Sequence, residues 1–221
     1  MNAMNRPTAL PAASRYDDLA IANLRSLECR PDRYWSWYQR GNALRDAGDL
    51  DGAIAAYERA IERYPDDYRA WYQQGNALAD LGWFDDAIAT YDRAIQLNPN
   101  DYWLRYERGC VFGKLQRYPE AIAAYDRALE LRPDDYWATY RRGRSLSQMA
   151  RYPEAIAAYD RALALRPDDF WSYYWQGDAW QHVQQWERAL DCFNRAIDLE
   201  PRDRWAWQRR GEILDAMEER A

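Results

Sequence analysis

The chain carries one histidine, His182, and three cysteines, Cys29, Cys110 and Cys192. These are the residue types that most often bind a metal or act as base and nucleophile near neutral pH. Their placement supports neither use. A lone histidine has no second to share a metal with, and the cysteines stand far apart in no ligand-like spacing, which disfavours a zinc site or a disulfide framework. The carboxylates recur with a fixed period, as helix caps and helix surfaces do. No glycine-rich phosphate loop, nucleophile elbow or paired metal motif occurs. The sequence therefore predicts a non-catalytic protein with no metal ligands and no cofactor, and His182 reads as an exposed polar residue. What the chain does supply is stacking chemistry: 12 Trp and 18 Tyr accompany 30 basic residues, of which only Lys114 is a lysine. Guanidinium groups lie flat on aromatic rings and pair bidentately with carboxylates.

The elements that position these groups announce themselves by repetition. YPEAIAAYDRALELRPDDYW begins at Tyr118 and YPEAIAAYDRALALRPDDFW at Tyr152, 34 residues later. Glycines fall at Gly41, Gly75, Gly109, Gly143, Gly177 and Gly211, and prolines at Pro65, Pro99, Pro133, Pro167 and Pro201, all 34 apart. Between them run paired alanines such as Ala53 and Ala60, and the aromatics Tyr57, Tyr91, Tyr125, Tyr159 and Phe193. Fixed periods of this length mark stacked structural units. Each unit reads as two helices. Asp67, Asp101, Asp135, Asp169 and Asp203 precede the first helices, where a carboxylate caps free N–H groups. Leu44, Ala53, Ile54, Tyr57, Ala60 and Ile61 recur at helical spacing as a contact face, small residues at Gly41 and Ala53 permit close approach, and Pro65 ends the second helix. One pair cannot bury its face alone, so neighbours must stack.

The pattern resembles the tetratricopeptide repeat (TPR), W-x2-L-G-x2-Y, then A-x3-F, then P in 34 residues. The resemblance implies an all-α fold, a right-handed superhelical solenoid of antiparallel helix pairs. Five units are expected at 34–67, 68–101, 102–135, 136–169 and 170–203, with a capping helix at 204–221. A degenerate half-repeat helix is expected at 16–33, behind an N-terminal tail at 1–15. Units such as YPEAIAAYDRALELRPDD and WYQRGNAL are similar to those common in cyanobacterial TPR proteins. In such proteins the first helices line a concave groove that binds peptides. Carried onto this chain, the groove stripe is the second, fifth, ninth, twelfth and thirteenth residue of each unit, which share one helix face.

On that stripe the second positions include Trp35, Trp103, Trp137 and Trp171, with Arg69 and Trp205 at the others. The fifth positions include Tyr38, Tyr72, Tyr106, Tyr140 and Tyr174, and the ninth positions Asn42, Asn76, Cys110 and Arg144. The aromatics favour recognition through large contact area at low entropy cost; the alternative is that each Trp packs on the next repeat's Tyr and only joins the repeats. Asn42 and Asn76 have both donor and acceptor for a peptide backbone, the role asparagines often take here in the family. Arg141, Arg142 and Arg144, with Arg105 and Arg108, form the most basic stretch. Two readings stay open there: an acidic or phosphorylated ligand, or pairing with Asp134, Asp135 and neighbouring acids. Tyrosine at the fifth position and Cys110 at a basic position disfavour the chaperone-tail carboxylate clamp. The in-phase Arg59, Arg93, Arg127, Arg161 and Arg195 read as solvated or repeat-linking. The usual leucine before glycine is replaced by Arg40, Gln74, Arg108, Arg142, Gln176 and Arg210, which leaves the packing at that seam open.

Composition bounds the remaining classes. With 36 acids against 30 bases the formal charge is −6, which argues against nucleic-acid binding. No run approaches the roughly 18 apolar residues of a spanning helix, so no membrane insertion is expected, and MNAMNRPTALPAASR has no apolar core of a signal peptide. A cytoplasmic protein is expected. The reading is a scaffold or adaptor that binds another protein or a peptide in an aromatic-lined groove, in complex assembly or regulation. Alternatives are a fragment of a larger protein, a self-associating module, or a sugar- or nucleobase-stacking binder. A monomer is expected over an oligomer, because Asp215, Glu218 and Glu219 solvate the terminal helix beside Ile213, Leu214 and Met217.

Overall fold

The structure is a computed structural model and describes residues 34–219; the expected tail 1–15 and half-repeat 16–33 lie outside the described residues. Those residues form eleven α-helices and no strand. The chain divides into two compact units after Pro99. The first holds α1 (Tyr34–Asp46), α2 (Leu50–Arg63), α3 (Tyr68–Leu81) and α4 (Phe84–Leu97). The second holds α5 (Tyr102–Lys114), α6 (Tyr118–Leu131), α7 (Tyr136–Gln148), α8 (Tyr152–Leu165), α9 (Phe170–His182), α10 (Trp186–Leu199) and α11 (Arg204–Glu218). Odd-numbered helices start every 34 residues from Tyr34, and even-numbered ones every 34 from Leu50. Within each unit every helix packs on its chain neighbours, as helix pairs stacked in solenoid fashion.

The helix starts follow from the sequence. Asp67, Asp101, Asp135, Asp169 and Asp203 each accept a backbone N–H of the first turn, at 2.7–3.0 Å for Arg69, Trp103, Ala138, Ser172 and Ala206. Each such bond satisfies a donor that the helix itself leaves open, worth about 1 kcal/mol. The turn between the helices of a pair needs one residue in the left-handed region. Glycine supplies it at Gly48 and Gly82, but Gln116, Ala150 and Gln184 take the same position with φ of 55–60°.

The helices of a pair meet through glycine and a ring. Tyr57, Tyr91, Tyr125, Tyr159 and Phe193 are all at most 2% exposed. A Cβ added at Gly75 or Gly109 would stand 2.7 Å from the Tyr91 or Tyr125 ring, and one at Gly143 2.9 Å from Tyr159. No methyl fits at such separations without displacing a packed aromatic. Alanines at 0% exposure, including Ala53, Ala60, Ala121 and Ala128, line the same contact.

The seam before Gly75, Gly143, Gly177 and Gly211 is polar and ordered. Gln74 donates to Glu58 at 3.4 Å, Gln176 to Asp160 at 2.6 Å and Arg210 to Asn194 at 2.9 Å; Arg142 donates to Asp126. Each bond spans 16 residues and ties a first helix to the preceding second helix. The family's leucine is thus replaced by a side-chain bond to the residue after the ring. The periodic arginines divide as anticipated: Arg59 and Arg127 pair with Glu62 and Glu130 at 2.9 Å on exposed surface, whereas Arg161 reaches back to the Pro133 carbonyl at 2.6 Å.

Gly211 tests this account of the interlock, because a Cβ there meets nothing within 4 Å. Gly211→Ala should gain about 0.5–1 kcal/mol from helix propensity alone. Gly109→Ala should lose about 1–2 kcal/mol despite the same gain, since overpacking outweighs it. Urea unfolding of the two variants checks the sign; equal stability would refute the packing argument.

Candidate functional site

In the first unit the stripe residues sit on α1 and α3. Trp35 is 50% exposed, and the Arg69 guanidinium lies 4.6 Å over its ring. Arg69 is itself held by Asp67, whose carboxylate takes its Nε at 2.9 Å. Burial pushes the Asp67 carboxyl up, but the Arg69 side-chain and backbone bonds prevail and hold it below the ordinary range. Tyr38 and Tyr72 are half-buried, tilted over Tyr57 and Tyr91 at 6.1 and 6.4 Å. Asn42 and Asn76 each accept, through Oδ1, the hydroxyl of their own repeat's buried tyrosine, Tyr57 at 2.8 Å and Tyr91 at 2.7 Å. Their acceptors thus lock the helix pair, and Nδ2 of Asn76 lies 3.4 Å from Gln73 Oε1.

In the second unit Trp103, Trp137 and Trp171 are 46%, 47% and 48% exposed. Their ring partners lie on their own helices: Trp103 meets Tyr102 and Tyr106, Trp137 meets Tyr136, and Trp171 meets Phe170 and Tyr174, edge-to-face at 5.0–6.0 Å. Arg132 and Arg166, from the ends of α6 and α8, lie 5.5 and 5.1 Å over Trp103 and Trp137. Of the fifth positions Tyr140 is half-buried, whereas Tyr106 and Tyr174 are only 8% and 7% exposed.

A cleft of about 660 Å³ opens beside α5 and α7. It brings together the predicted Tyr106, Tyr140 and Arg144 with Cys110, Lys114, Arg141 and Glu107. Arg144 lies flat over Trp175, 3.6 Å from the ring centre. Arg141 donates its Nε to the Tyr106 hydroxyl at 2.9 Å. The expected alternative partners of these arginines are engaged elsewhere: Asp134 stands 3.9 Å from Arg161, and Asp135 caps Ala138. Arg142 leaves the cluster for Asp126.

The stripe rule missed the sixth residue of α3, α7, α9 and α11, which reaches toward the preceding repeat. Gln73 accepts from Arg45, Arg141 donates to Tyr106, Trp175 supports Arg144, and Arg209 donates to Asp178. The signal was available, because the sixth position is one residue, about 100°, round from the fifth.

Among the described residues no group of acids, cysteines and histidine could hold a metal, and no helix is long and apolar enough to cross a membrane. His182 stacks on Tyr152 at 4.4 Å with its side chain exposed. Burial pushes the Cys110 thiol up, and burial, with Asp191 and Asp160 nearby, pushes Cys192 up to about 12. Both are therefore neutral near pH 7, away from the thiolate form that reacts. Alkylation with iodoacetamide at pH 8 should be at least tenfold slower at these two sites in the folded protein than in denaturant, followed by peptide mass spectrometry. Equal rates would show that neither thiol is shielded.

The comparisons with known proteins bear on the fold and the family. The family model described as tetratricopeptide repeat matches residues 38–102, 106–170 and 140–204. The search of curated protein sequences gave no match. Among solved structures, YrrB, described as a TPR protein with an unusual peptide-binding site, is 24% identical, with a TM-score of 0.75 over 86% of this chain and 97% of its own. MamA is 26% identical, with a TM-score of 0.71 over 73% of this chain and 94% of its own. MamA from Desulfovibrio magneticus RS-1 is 21% identical, with a TM-score of 0.68 over 88% and 98%. The matched segments together span most of the sequence, and the helix pairs repeat at their period: the chain belongs to the tetratricopeptide repeat family.

Proposed function

We propose that the chain is a non-catalytic adaptor that binds an extended or helical segment of a partner protein along the first-helix stripe. The observation that carries this is the row Trp103, Trp137 and Trp171, each with nearly half its surface open. These rings are packed by their own repeats, so neighbouring repeats can stack without covering them. A large apolar ring left open costs solvation, and rigid amphipathic rings of this kind are favoured at recognition sites. The cleft lined by Tyr106, Tyr140, Arg141 and Arg144 lies on the same helices and adds polar groups that would fix a segment's register. Tyr38, Asn42, Tyr72, Asn76 and Tyr174 belong to the proposed stripe chiefly as its support. The family shown by the sequence is a repeat scaffold suited to protein–protein interaction, which supports the reading.

Trp103→Ala with Trp137→Ala should leave the helical circular dichroism spectrum intact, since both rings are half open. In affinity capture from a lysate of the source organism, the variant should lose at least tenfold of its specifically bound partner relative to the parent chain. An Arg127→Ala control on the exposed surface of α6 should retain it. Equal capture by the folded double variant would refute the stripe as the binding surface.

A further inference from the structure

Three of the second-position tryptophans carry a guanidinium over the ring. Arg69 lies 4.6 Å from the ring centre of Trp35, Arg132 5.5 Å from that of Trp103 and Arg166 5.1 Å from that of Trp137. Two places in the repeat supply these groups. Arg132 and Arg166 follow the second helix of the same repeat, where they also cover Tyr102 at 4.5 Å and Tyr136 at 4.2 Å. Arg69 is the second residue of the next first helix.

Trp171 has neither source. The residue after α10 is Glu200, and the second residue of α11 is Trp205. The backbone at Glu200 has φ −128° and ψ 78°, close to −134° and 86° at Arg132 and −137° and 89° at Arg166. The side chain therefore leaves the backbone in the same direction at all three, and a glutamate is too short to fill the space that the arginines occupy. Trp171 is 48% exposed, and its ring contacts are Phe170, Tyr174 and Trp175. Among the described residues no cation lies over it, and Glu200 is exposed and in no ion pair. Arg202 and Arg204, close by in sequence, engage neither group.

We infer that Trp171 and Glu200 together receive an arginine side chain of the partner segment, its guanidinium flat on the indole and its edge turned to the carboxylate. This rests on the partner-binding reading above and adds the chemistry of the bound segment. An indole face attracts a cation, and a carboxylate beside it accepts a charge-assisted hydrogen bond from the same group. In the repeats of Trp103 and Trp137 the fold fills this place itself. At Trp171 the arginine's position holds the opposite charge, which leaves the filling to a ligand. Arginine suits the place better than lysine, because a planar guanidinium stacks on a ring and still presents a fork to a carboxylate. The net charge of −6 favours the approach of a cationic segment.

The test is a selection of a randomised dodecapeptide library on the whole chain, on Glu200→Arg, on Trp171→Ala and on the control Arg127→Gln. Each protein is first checked by circular dichroism, and the exposed Glu200→Arg stands alone should Trp171→Ala fail to fold. The parent chain and the control should enrich peptides with arginine at one fixed position. Glu200→Arg should lose that preference, because its own guanidinium then covers Trp171 as Arg132 and Arg166 cover their rings. For a selected peptide in fluorescence anisotropy, Arg→Gln at that position should weaken binding to the parent chain about fivefold, with an effect that shrinks as salt rises. The same change should alter binding to Glu200→Arg less than twofold. Enriched peptides with no basic position, or a basic preference that Glu200→Arg retains, would overturn the inference and leave partner binding standing. No enrichment at all would overturn both. An Arg→Lys peptide that binds as tightly would overturn the assignment to a guanidinium in favour of any cation.

Discussion

Everything in this molecule depends on one contact, a tyrosine or phenylalanine ring pressed onto a helical glycine. Gly109 and Tyr125 show it: the ring is 2% exposed, and an added Cβ would stand 2.7 Å from it. Close approach brings the two backbones together and lets the alanines beside them pack with no exposed surface. It also determines what faces outward. Once the eighth residue of a first helix is pinned under a ring, the second is carried about 120° round from it, while the fifth and ninth lie beside the ring. In the first two repeats the ring's hydroxyl then bonds the ninth residue, Asn42 or Asn76. The contact that builds the pair thereby also orients part of the candidate site.

Most of the fold was legible because it is written several times. A period of 34 in Gly, Pro, Ala and Tyr gives the helix pairs, and the aspartate before each first helix from α3 onward gives its cap. Two features were not legible from the family pattern. The residue before glycine looked like a defect in an apolar seam, yet Gln176 and Arg210 bond Asp160 and Asn194 across it. Its partner is sixteen residues away on another helix, so no local propensity reveals it. The left-handed turn residue was likewise hidden where Gln116, Ala150 and Gln184 stand in place of glycine. There the stacked helices impose a conformation that the side chain opposes.

The stripe was legible as positions but not as environments. Trp103 and Tyr106 are both aromatic and three residues apart, yet one is 46% exposed and the other 8%. Tyr106 is covered by Tyr102 and Tyr125 of its own repeat and by Arg141 of the next first helix. Likewise a run of arginines at 141, 142 and 144 suggests one basic patch, and the structure gives the three residues three different fates. Arg142 meets a carboxylate, Arg141 a phenol and Arg144 an indole. Charge counted along a sequence cannot distinguish these, because each partner is set by which repeat lies alongside.

The central claim is that recognition occurs on the first helices and not on the second helices. Its most direct test places a photo-crosslinking amino acid at Trp137 or at Arg127, one at a time, and irradiates the chain in a lysate of the source organism. The account predicts a discrete adduct from position 137, with the crosslinked peptide mapping to one segment of one partner, and none above background from position 127. The same adduct from position 127, or none from position 137 while the partner stays bound, would contradict it.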